Sequence, residues 1–336
     1  MERSMIATRR SSPPASGPSG PSGPADQTGP VDARGASETA VSATALAPTG
    51  LAPAPVQAPA APAAGTLAPE GAPPAQRSGG ASLPGRYDRQ LGLPGFGPAA
   101  QERLRGATVL VAGIGGVGGA AATYLAAAGV GRLVLVHPGA LEEPDLNRQT
   151  LMRPEWIGGS RVACAEQTLR AHHPGVEIVA LDRELSQLPE LGRLVAEADV
   201  VVDARHNFPD RYLLNDVCVA TRTPAVVAAM NATEGNMLVV RPGSPCLRCV
   251  FAEGDPSWQP LGFTVLGAVS GMVGCLAATE AIKIISGFGE PAAGRLLQFD
   301  LWDLDFQVLR ARRDPHCPTC GGPSGSSQRP GPGEPQ

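Results

Sequence analysis

The sequence has little lysine, few aromatic residues and no basic run. Lys283 is the only lysine in 336 residues, and aromatic side chains make up 4% of the chain. The net charge of −4 argues against a nucleic-acid partner, because nucleic acids are bound mainly through Lys and Arg contacts to phosphate. Any phosphate contact by a cationic side chain is therefore expected to come from arginine.

The first 81 residues contain no aromatic residue and no cysteine, and are mostly Ala, Pro, Gly, Ser and Thr. Such a composition cannot bury enough apolar surface to offset chain entropy, so residues 1–81 are predicted to be disordered. The segment 321–336 has the same character. Residues 82–320 remain as one large domain.

Long apolar runs are also missing. The N-terminal MERSMIATRR lacks the apolar centre of a signal peptide, and the longest apolar stretch, residues 264–279, is shorter than a membrane-spanning helix. We expect a buried core helix there, no membrane partner and a cytoplasmic location. Seven cysteines in that location favour thiols or a bound metal over disulfides.

Strand-like and helix-like segments alternate in the first part of the domain. The strand-like runs are 108–112, 133–136, 176–181, 200–203, 225–229 and 237–241, and the helix-like segments are 116–128, 161–171, 188–196 and 210–220. This alternation predicts an α/β fold with a Rossmann-like, mostly parallel sheet and helices on both faces, with ligands at the carboxyl ends of the strands. The runs 296–300 and 306–311 are predicted to be antiparallel strands.

A glycine motif follows the first strand. Gly113, Gly115 and Gly118 satisfy GxGxxG between a strand and a helix start, where backbone amides face a phosphate in nucleotide-binding units. Such a unit also places an acid at the end of its second strand to hold a ribose. Here that strand runs into HPG at residues 137–139, so the expected acid is missing.

Four cysteines form two CxxC pairs, Cys246 with Cys249 and Cys317 with Cys320. Each pair places two thiolates on one knuckle, and two knuckles complete a tetrahedral shell closed to water. A redox CxxC would need only one pair. The pattern therefore predicts a structural zinc site.

In combination, these motifs resemble the ThiF/MoeB/HesA family, adenylyltransferases related to ubiquitin-activating enzymes. The resemblance is carried in order by RYDRQ at 86–90, GIGGVGG at 113–119, LAAAGVGRLVLV at 125–136, LNRQ at 146–149, DARHN at 203–207, the CxxC pairs and ATEAIK at 278–283. It covers essentially all of residues 86–320.

The resemblance implies MgATP bound at the glycine loop, which includes Gly116, and a homodimer with structural zinc. It also implies an acyl-adenylate formed on the C-terminal Gly-Gly carboxylate of a ubiquitin-like or sulfur-carrier protein, with release of pyrophosphate. By position, Arg89 corresponds to the arginine that reaches the ATP site of the partner subunit. Arg148 corresponds to the arginine of the triphosphate, and Arg161 stands where the family has lysine.

The same positions show departures from the family at the ATP site. His137 and Gly139 replace two acids, His206 replaces the aspartate that holds magnesium, and Asp145 stands where asparagine is usual. Asp203 is retained. His206 is a poor substitute in a magnesium site because hard Mg²⁺ prefers oxygen ligands, and it would equally well fill the rim of the crevice.

Two further expectations follow from the residues near these positions. Asp145, Glu142 and Glu143 are close in sequence and, with Asp203, would supply any rearranged metal shell. Some family members use a cysteine after the first CxxC pair for sulfur or thioester transfer, but residues 250–274 contain none. Cys275 lies on the apolar helix, where we expect it to be buried and unreactive.

Three functions stay open on this reading. The order of motifs and the three arginines favour an adenylyltransferase. The missing acids favour a non-catalytic binding protein that keeps the dimer, the zinc and the tail-binding groove. An NAD(P) oxidoreductase suits GxGxxG alone, but it lacks the ribose acid and has no use for the CxxC pairs.

Overall fold

The computed structural model describes residues 85–252 and 264–321. The two predicted tails lie outside the described residues, apart from Gly321, and so does the polar sequence SWQP at residues 257–260, between the first CxxC pair and the apolar helix.

The described residues form one eight-stranded sheet. The strands are β1 (Thr108–Ala112), β2 (Arg132–Val136), β3 (Glu177–Leu181), β4 (Val200–Asp203), β5 (Ala225–Asn231), β6 (Glu234–Val240), β7 (Arg295–Asp300) and β8 (Asp305–Arg310). Their order is β3-β2-β1-β4-β5-β6-β7-β8, and the first five in this order are parallel. The predicted Rossmann-like sheet is therefore confirmed.

Helices cover both faces of this sheet. They are α1 (Asp88–Leu91), α2 (Gly97–Gly106), α3 (Gly116–Ala128), α4 (Arg161–His172), α5 (Leu191–Ala196), α6 (Phe208–Thr221), α7 (Leu247–Val250) and α8 (Gly267–Ser286). Because side chains alternate along a strand, Val109 and Val111 of β1 join the core with α2, α3, α4 and α8. Leu110 and Ala112 join a second core with α5 and α6.

The antiparallel part of the sheet is one strand wider than the sequence predicted. Residues 237–241 were placed among the alternating strands and helices, but β6 pairs antiparallel with β5, with Ala225 opposite Val240. Only two residues connect these strands, too few for the crossover that a parallel pair requires. Strands β7 and β8 continue the antiparallel pattern, as predicted.

Helix α8 is the predicted apolar helix, although it begins and ends later than residues 264–279. Within the described part of the chain it is the one helix that is long and apolar enough to cross a membrane. It lies against α3 and against strands β4, β5 and β6. A Cβ on Gly274 would lie 2.3 Å from the carbonyl oxygen of Val117, so glycine permits the close approach of α8 to α3.

Candidate nucleotide site and cysteine cluster

The glycine loop connects β1 to α3 by a turn with no space for side chains at two positions. Gly113 has φ +92°, and a Cβ there would lie 2.6 Å from the carbonyl oxygen of Ala204. A Cβ on Gly118 would lie 1.7 Å from the carbonyl oxygen of Gly113. Both positions therefore require glycine to bring the start of α3 against the ends of β1 and β4.

The other two predicted glycines differ in how strongly the fold requires them. A Cβ on Gly116 would lie 2.6 Å from the hydroxyl of Ser270 on α8. A Cβ on Gly115 would meet only the Nε2 of Gln149, at 3.8 Å, which is ordinary contact. The backbone amides at the start of α3 form the type of surface that binds phosphate.

His137 is tied to the glycine loop. Its Nδ1 accepts a hydrogen bond from the backbone N–H of Ile114, 3.1 Å away. Because Ile114 is part of the glycine loop, this bond fixes the ring against the loop. Burial lowers the pKa of His137 well below its usual value, and the positive charges of Arg205 and Arg161 lower it further. With Nδ1 accepting from Ile114, the neutral ring keeps only its Nε2–H as a donor, so it does not offer the anionic acceptor with which an acid holds a ribose.

Asp145 joins two of the predicted arginines. Its Oδ1 lies 3.1 Å from a guanidinium nitrogen of Arg148, and its Oδ2 lies 2.7 Å from one of Arg161. The Asp145 side chain is buried, and the side chains of both arginines are about one-fifth exposed. In this state the two arginines are charge-paired within the protein, so an incoming phosphate would have to compete with Asp145.

Two buried arginines lie behind the end of β4. Arg205 is ion-paired with Asp210 at 2.6 Å and with Glu184 at 3.0 Å. Arg211 lies 3.6 Å from the Oδ2 of Asp203, and this oxygen has no hydrogen-bond partner among the described residues. Burial raises the pKa of Asp203, against the opposing effect of Arg211.

The acids of this crevice do not form a magnesium shell among the described residues. Outside the cysteines, no three metal-ligating side chains come together within the described ranges. Asp203 faces an arginine, Asp145 is paired with two, and Glu142 and Glu143 are exposed. The rearranged acidic shell considered from the sequence is therefore not assembled among the described residues.

His206 is exposed at the edge of the crevice. Partial desolvation of its ring lowers its pKa to about 4, and the charge of Arg205 contributes to this shift. The side chain is therefore neutral near pH 7, and its position fits the rim-filling role considered from the sequence.

Arg89 lies away from the glycine loop of its own chain. Its neighbour Gln90 donates from Nε2 to the carbonyl oxygen of Ala128, 2.8 Å away, at the last residue of α3. The glycine loop is at the other end of this 13-residue helix, about 20 Å away at 1.5 Å per residue. Arg89 is exposed, so any contact with a nucleotide would have to be made in another copy of the chain.

Stability is expected to fall as the pH decreases from about 6.5, the unfolded histidine pKa. Because the pKa values of His137 and His206 are lowered in the folded state, the unfolded chain binds more protons in this range, and acid favours unfolding. His137→Asn keeps an acceptor for Ile114 and removes one titrating group. Thermal unfolding between pH 7.5 and 5 should show a smaller decrease for the variant, at about 2–4 °C for each kcal/mol of difference. Equal decreases would contradict a buried neutral His137.

The four predicted cysteines come together. The distance between Sγ atoms is 3.6 Å for Cys246 and Cys317 and 3.3 Å for Cys249 and Cys320. All four Sγ atoms lie within 4.8 Å of one another. A tetrahedral zinc with Zn–S bonds of about 2.3 Å needs sulfur atoms about 3.8 Å apart, so the cluster fits zinc.

Residues around the cluster hold the two knuckles in position. Asp216 on α6 accepts hydrogen bonds from Arg248 of the first knuckle, at 2.8 Å, and from Thr319 of the second, at 2.7 Å. The backbone N–H of Asp314 points to the Sγ of Cys249 at 3.4 Å, a contact that favours a thiolate. These contacts form the outer shell that orients metal ligands.

Cys275 is on α8 as predicted, but it is half-buried rather than buried. Burial raises the pKa of its thiol, so a smaller fraction of the side chain is present as the reactive thiolate. The expectation of an unreactive cysteine is consistent with this shift.

Sequence reasoning missed several residues of the crevice. Arg205 and Arg211 were not singled out, although Arg205 comes two residues after the buried strand β4, and charged side chains at such a position are a signal for the carboxyl-end crevice. Asp182 was missed as well: its Oδ1 accepts a hydrogen bond from the backbone N–H of Gly139 at 3.0 Å. The third strand carried no motif that would have pointed to Asp182.

Comparison with known proteins decides the family. The sequence matches the ThiF family over residues 87–319. The chain belongs to the ThiF family. It is similar to the "Protein HesA, heterocyst" of Trichormus variabilis, with 49% identity over 237 residues, 70% of this chain and 88% of that protein.

Two other relatives of this ThiF chain are informative. The sulfur carrier protein adenylyltransferase of Thermus thermophilus is 39% identical over 247 residues, 70% of this chain and 90% of that protein. The crystal structure of E. coli MccB is similar with a TM-score of 0.64 and 21% identity, covering 74% of this chain and 76% of that chain. This second likeness supports the fold alone. The ThiF assignment confirms the resemblance found in the motifs, while the roles of Arg89, Arg148 and Arg161 stay predictions.

Proposed function

We propose that this ThiF-family chain is an ATP-dependent adenylyltransferase that activates the C-terminal Gly-Gly carboxylate of a ubiquitin-like or sulfur-carrier protein. The proposal depends mainly on one observation: the glycine loop, Arg148 and Arg161 lie together at the carboxyl end of the sheet. The Thermus thermophilus relative, a sulfur carrier protein adenylyltransferase, supports the same reaction class.

In the proposed reaction, a carboxylate oxygen of the carrier attacks the α-phosphorus of ATP. A bond forms between these atoms, and the bond from the α-phosphorus to the bridging oxygen breaks, so that its electron pair leaves with pyrophosphate. The amides at the start of α3 and the two guanidinium groups offset the charge that develops on the phosphate oxygens. We assign no step to magnesium, because no shell for it is assembled among the described residues.

A protein substrate needs a docking surface, and the edge of the sheet offers one. The β7–β8 ribbon exposes four apolar side chains: Trp302 at 68%, Leu304 at 72%, Phe306 at 48% and Val308 at 62% of their surface. Exposed apolar groups concentrated on one ribbon are typical of an interaction surface. This surface supports a protein partner.

The proposal includes a homodimer and a structural zinc. Arg89 is far from the glycine loop of its own chain. This distance supports a dimer in which Arg89 of one protomer contacts the nucleotide bound by the other protomer. The geometry of Cys246, Cys249, Cys317 and Cys320 supports zinc as the bound metal.

A second candidate is the binding protein without nucleotide chemistry. The pairing of Asp145 with both arginines, and the lack of an assembled acidic shell among the described residues, favour it. Both candidates share the fold, the cysteine cluster and the apolar ribbon, so they must be separated by measuring turnover.

The test is exchange of labelled pyrophosphate into ATP by the full chain, with carriers that end in Gly-Gly and with the same carriers lacking the last glycine. We expect exchange only with the complete tail. Arg148→Ala should reduce it about 10²-fold, on the scale of a lost donor to transition-state charge. Asp145→Asn keeps an acceptor for the backbone N–H of Glu142 but removes the competing charge, so it should bind ATP several-fold more tightly.

Absence of exchange with every carrier, while ATP binds in calorimetry, would support the binding protein. If the chain neither exchanges pyrophosphate nor binds ATP, the crevice is not an ATP site and the proposed adenylyltransferase activity is wrong. If Arg148→Ala exchanged at the wild-type rate, the triphosphate assignment would be wrong.

A further inference from the structure

The strand next to β2 supplies an acid at the place where β2 lacks one. Strands β2 and β3 are parallel, with Val136 opposite Leu181. The backbone N–H of His137 donates to the carbonyl oxygen of Leu181 at 3.1 Å, which continues the pairing by one residue. Asp182, the residue that follows β3, therefore lies beside the HPG turn.

The carboxylate of Asp182 reaches the backbone at position 139. Its Oδ1 accepts the N–H of Gly139 at 3.0 Å. Gly139 has φ +92°, and a Cβ there would lie 3.2 Å from a guanidinium nitrogen of Arg161. The turn is therefore unfavourable for a side chain at position 139, while an acid from the neighbouring strand lies against it.

Asp182 also differs from the other acids of the crevice in its charge environment. Asp145, Asp203, Asp210 and Glu184 each have an arginine within ion-pair distance. Within the described part of the chain Asp182 forms no ion pair, and its side chain is exposed. Its Oδ1 is engaged by one amide, and an ionised carboxylate retains further acceptor capacity on both oxygens.

We propose that Asp182 binds the ribose hydroxyls of the nucleotide, in place of the acid that is missing from the end of β2. This rests on the proposed function, because it requires that the crevice binds ATP. In nucleotide-binding units the acid that holds the ribose hydroxyls lies at the end of the second strand, and Asp182 contacts the backbone of the turn that follows this strand. His137 does not serve this role, because it is neutral and its Nδ1 is bound to Ile114.

The test compares ATP with 2′,3′-dideoxyATP in equilibrium binding to the full chain. We expect wild type to prefer ATP, and Asp182→Asn to reduce this preference about tenfold, the scale of a hydrogen bond to a charged group. The amide of the variant still accepts the N–H of Gly139, so the turn is kept. Asp303→Asn, at an exposed position between β7 and β8, is the control and should keep the full preference.

The outcomes distinguish an error in the role of Asp182 from an error in the nucleotide site itself. If wild type binds ATP and Asp182→Asn keeps the wild-type preference, the assignment of Asp182 is wrong and the proposed function is unaffected. If the variant weakens both nucleotides equally, Asp182 only orders the turn and the assignment is again wrong. If wild type binds neither nucleotide, the nucleotide site itself is wrong, and the role of Asp182 is removed with it.

Discussion

Gly118→Ala is expected to collapse the glycine loop and abolish ATP binding. A Cβ at this position would lie 1.7 Å from the carbonyl oxygen of Gly113 and 3.2 Å from the Cβ of Ala204. Neither neighbour is the flexible end of a side chain, so the backbone at the start of α3 would have to move away from β1 and β4. We expect a loss of about 3 kcal/mol or more in the free energy of unfolding, measured by chemical denaturation.

The next residue is a matched control for this change. A Cβ on Gly119 would meet the carbonyl oxygen of Ile114 at 3.5 Å and Leu151 at 3.7 Å, which are ordinary contacts. Gly119→Ala lies in the same helical turn and should stabilise the protein by about 0.5–1 kcal/mol, since alanine restricts the unfolded chain. Equal free energies of unfolding for the two variants would show that Gly118 does not lie against the carbonyl oxygen of Gly113.

Cys246→Ser is expected to release the metal and lower the melting temperature by about 10 °C or more. One ligand is lost from a four-sulfur shell, and the binding energy of a structural zinc contributes directly to folding. Zinc content by elemental analysis and thermal unfolding of the same sample would measure both effects. Cys320→Ser should give the same result, because it removes a ligand from the other knuckle.

Cys275→Ser is the control for the zinc variants. This cysteine is outside the cluster, on α8, so the variant should retain its zinc. A Cys246→Ser protein that kept full zinc content would remove the four-cysteine assignment, whatever its melting temperature.

Much of the fold could be predicted because its signals are local. The glycine motif, the alternation of strand-like and helix-like segments and the CxxC pairs each depend on residues close in sequence. The antiparallel pairing of β6 was missed because an apolar run looks the same in either direction. The short connection from β5 to β6 contained the necessary information, since a parallel crossover needs a dozen or more residues.

The site was harder to predict because its contacts join distant positions. The sequence placed Asp145, Arg148 and Arg161 in the crevice, but it could not show that the aspartate lies between the two arginines. Asp182 could not be predicted for the same reason, since its proximity to Gly139 depends on the register of β2 and β3. Motifs identify which residues line a crevice, whereas ion pairs within it require three-dimensional packing.

The spacing of the two cysteine knuckles has a consequence for the chain entropy of the unfolded state. Cys246 and Cys317 are 71 residues apart, so a metal retained on both knuckles would close a large loop in the denatured chain. By the relation used for disulfide cross-links, closing a loop of this length removes roughly 4 kcal/mol of chain entropy at 25 °C. The loop contains α8, whose Ser270 packs against Gly116. Loss of the metal would return this entropy to the unfolded chain and lower the free energy of unfolding of the domain that holds the phosphate loop, so metal retention and nucleotide binding are linked through folding without a shared ligand.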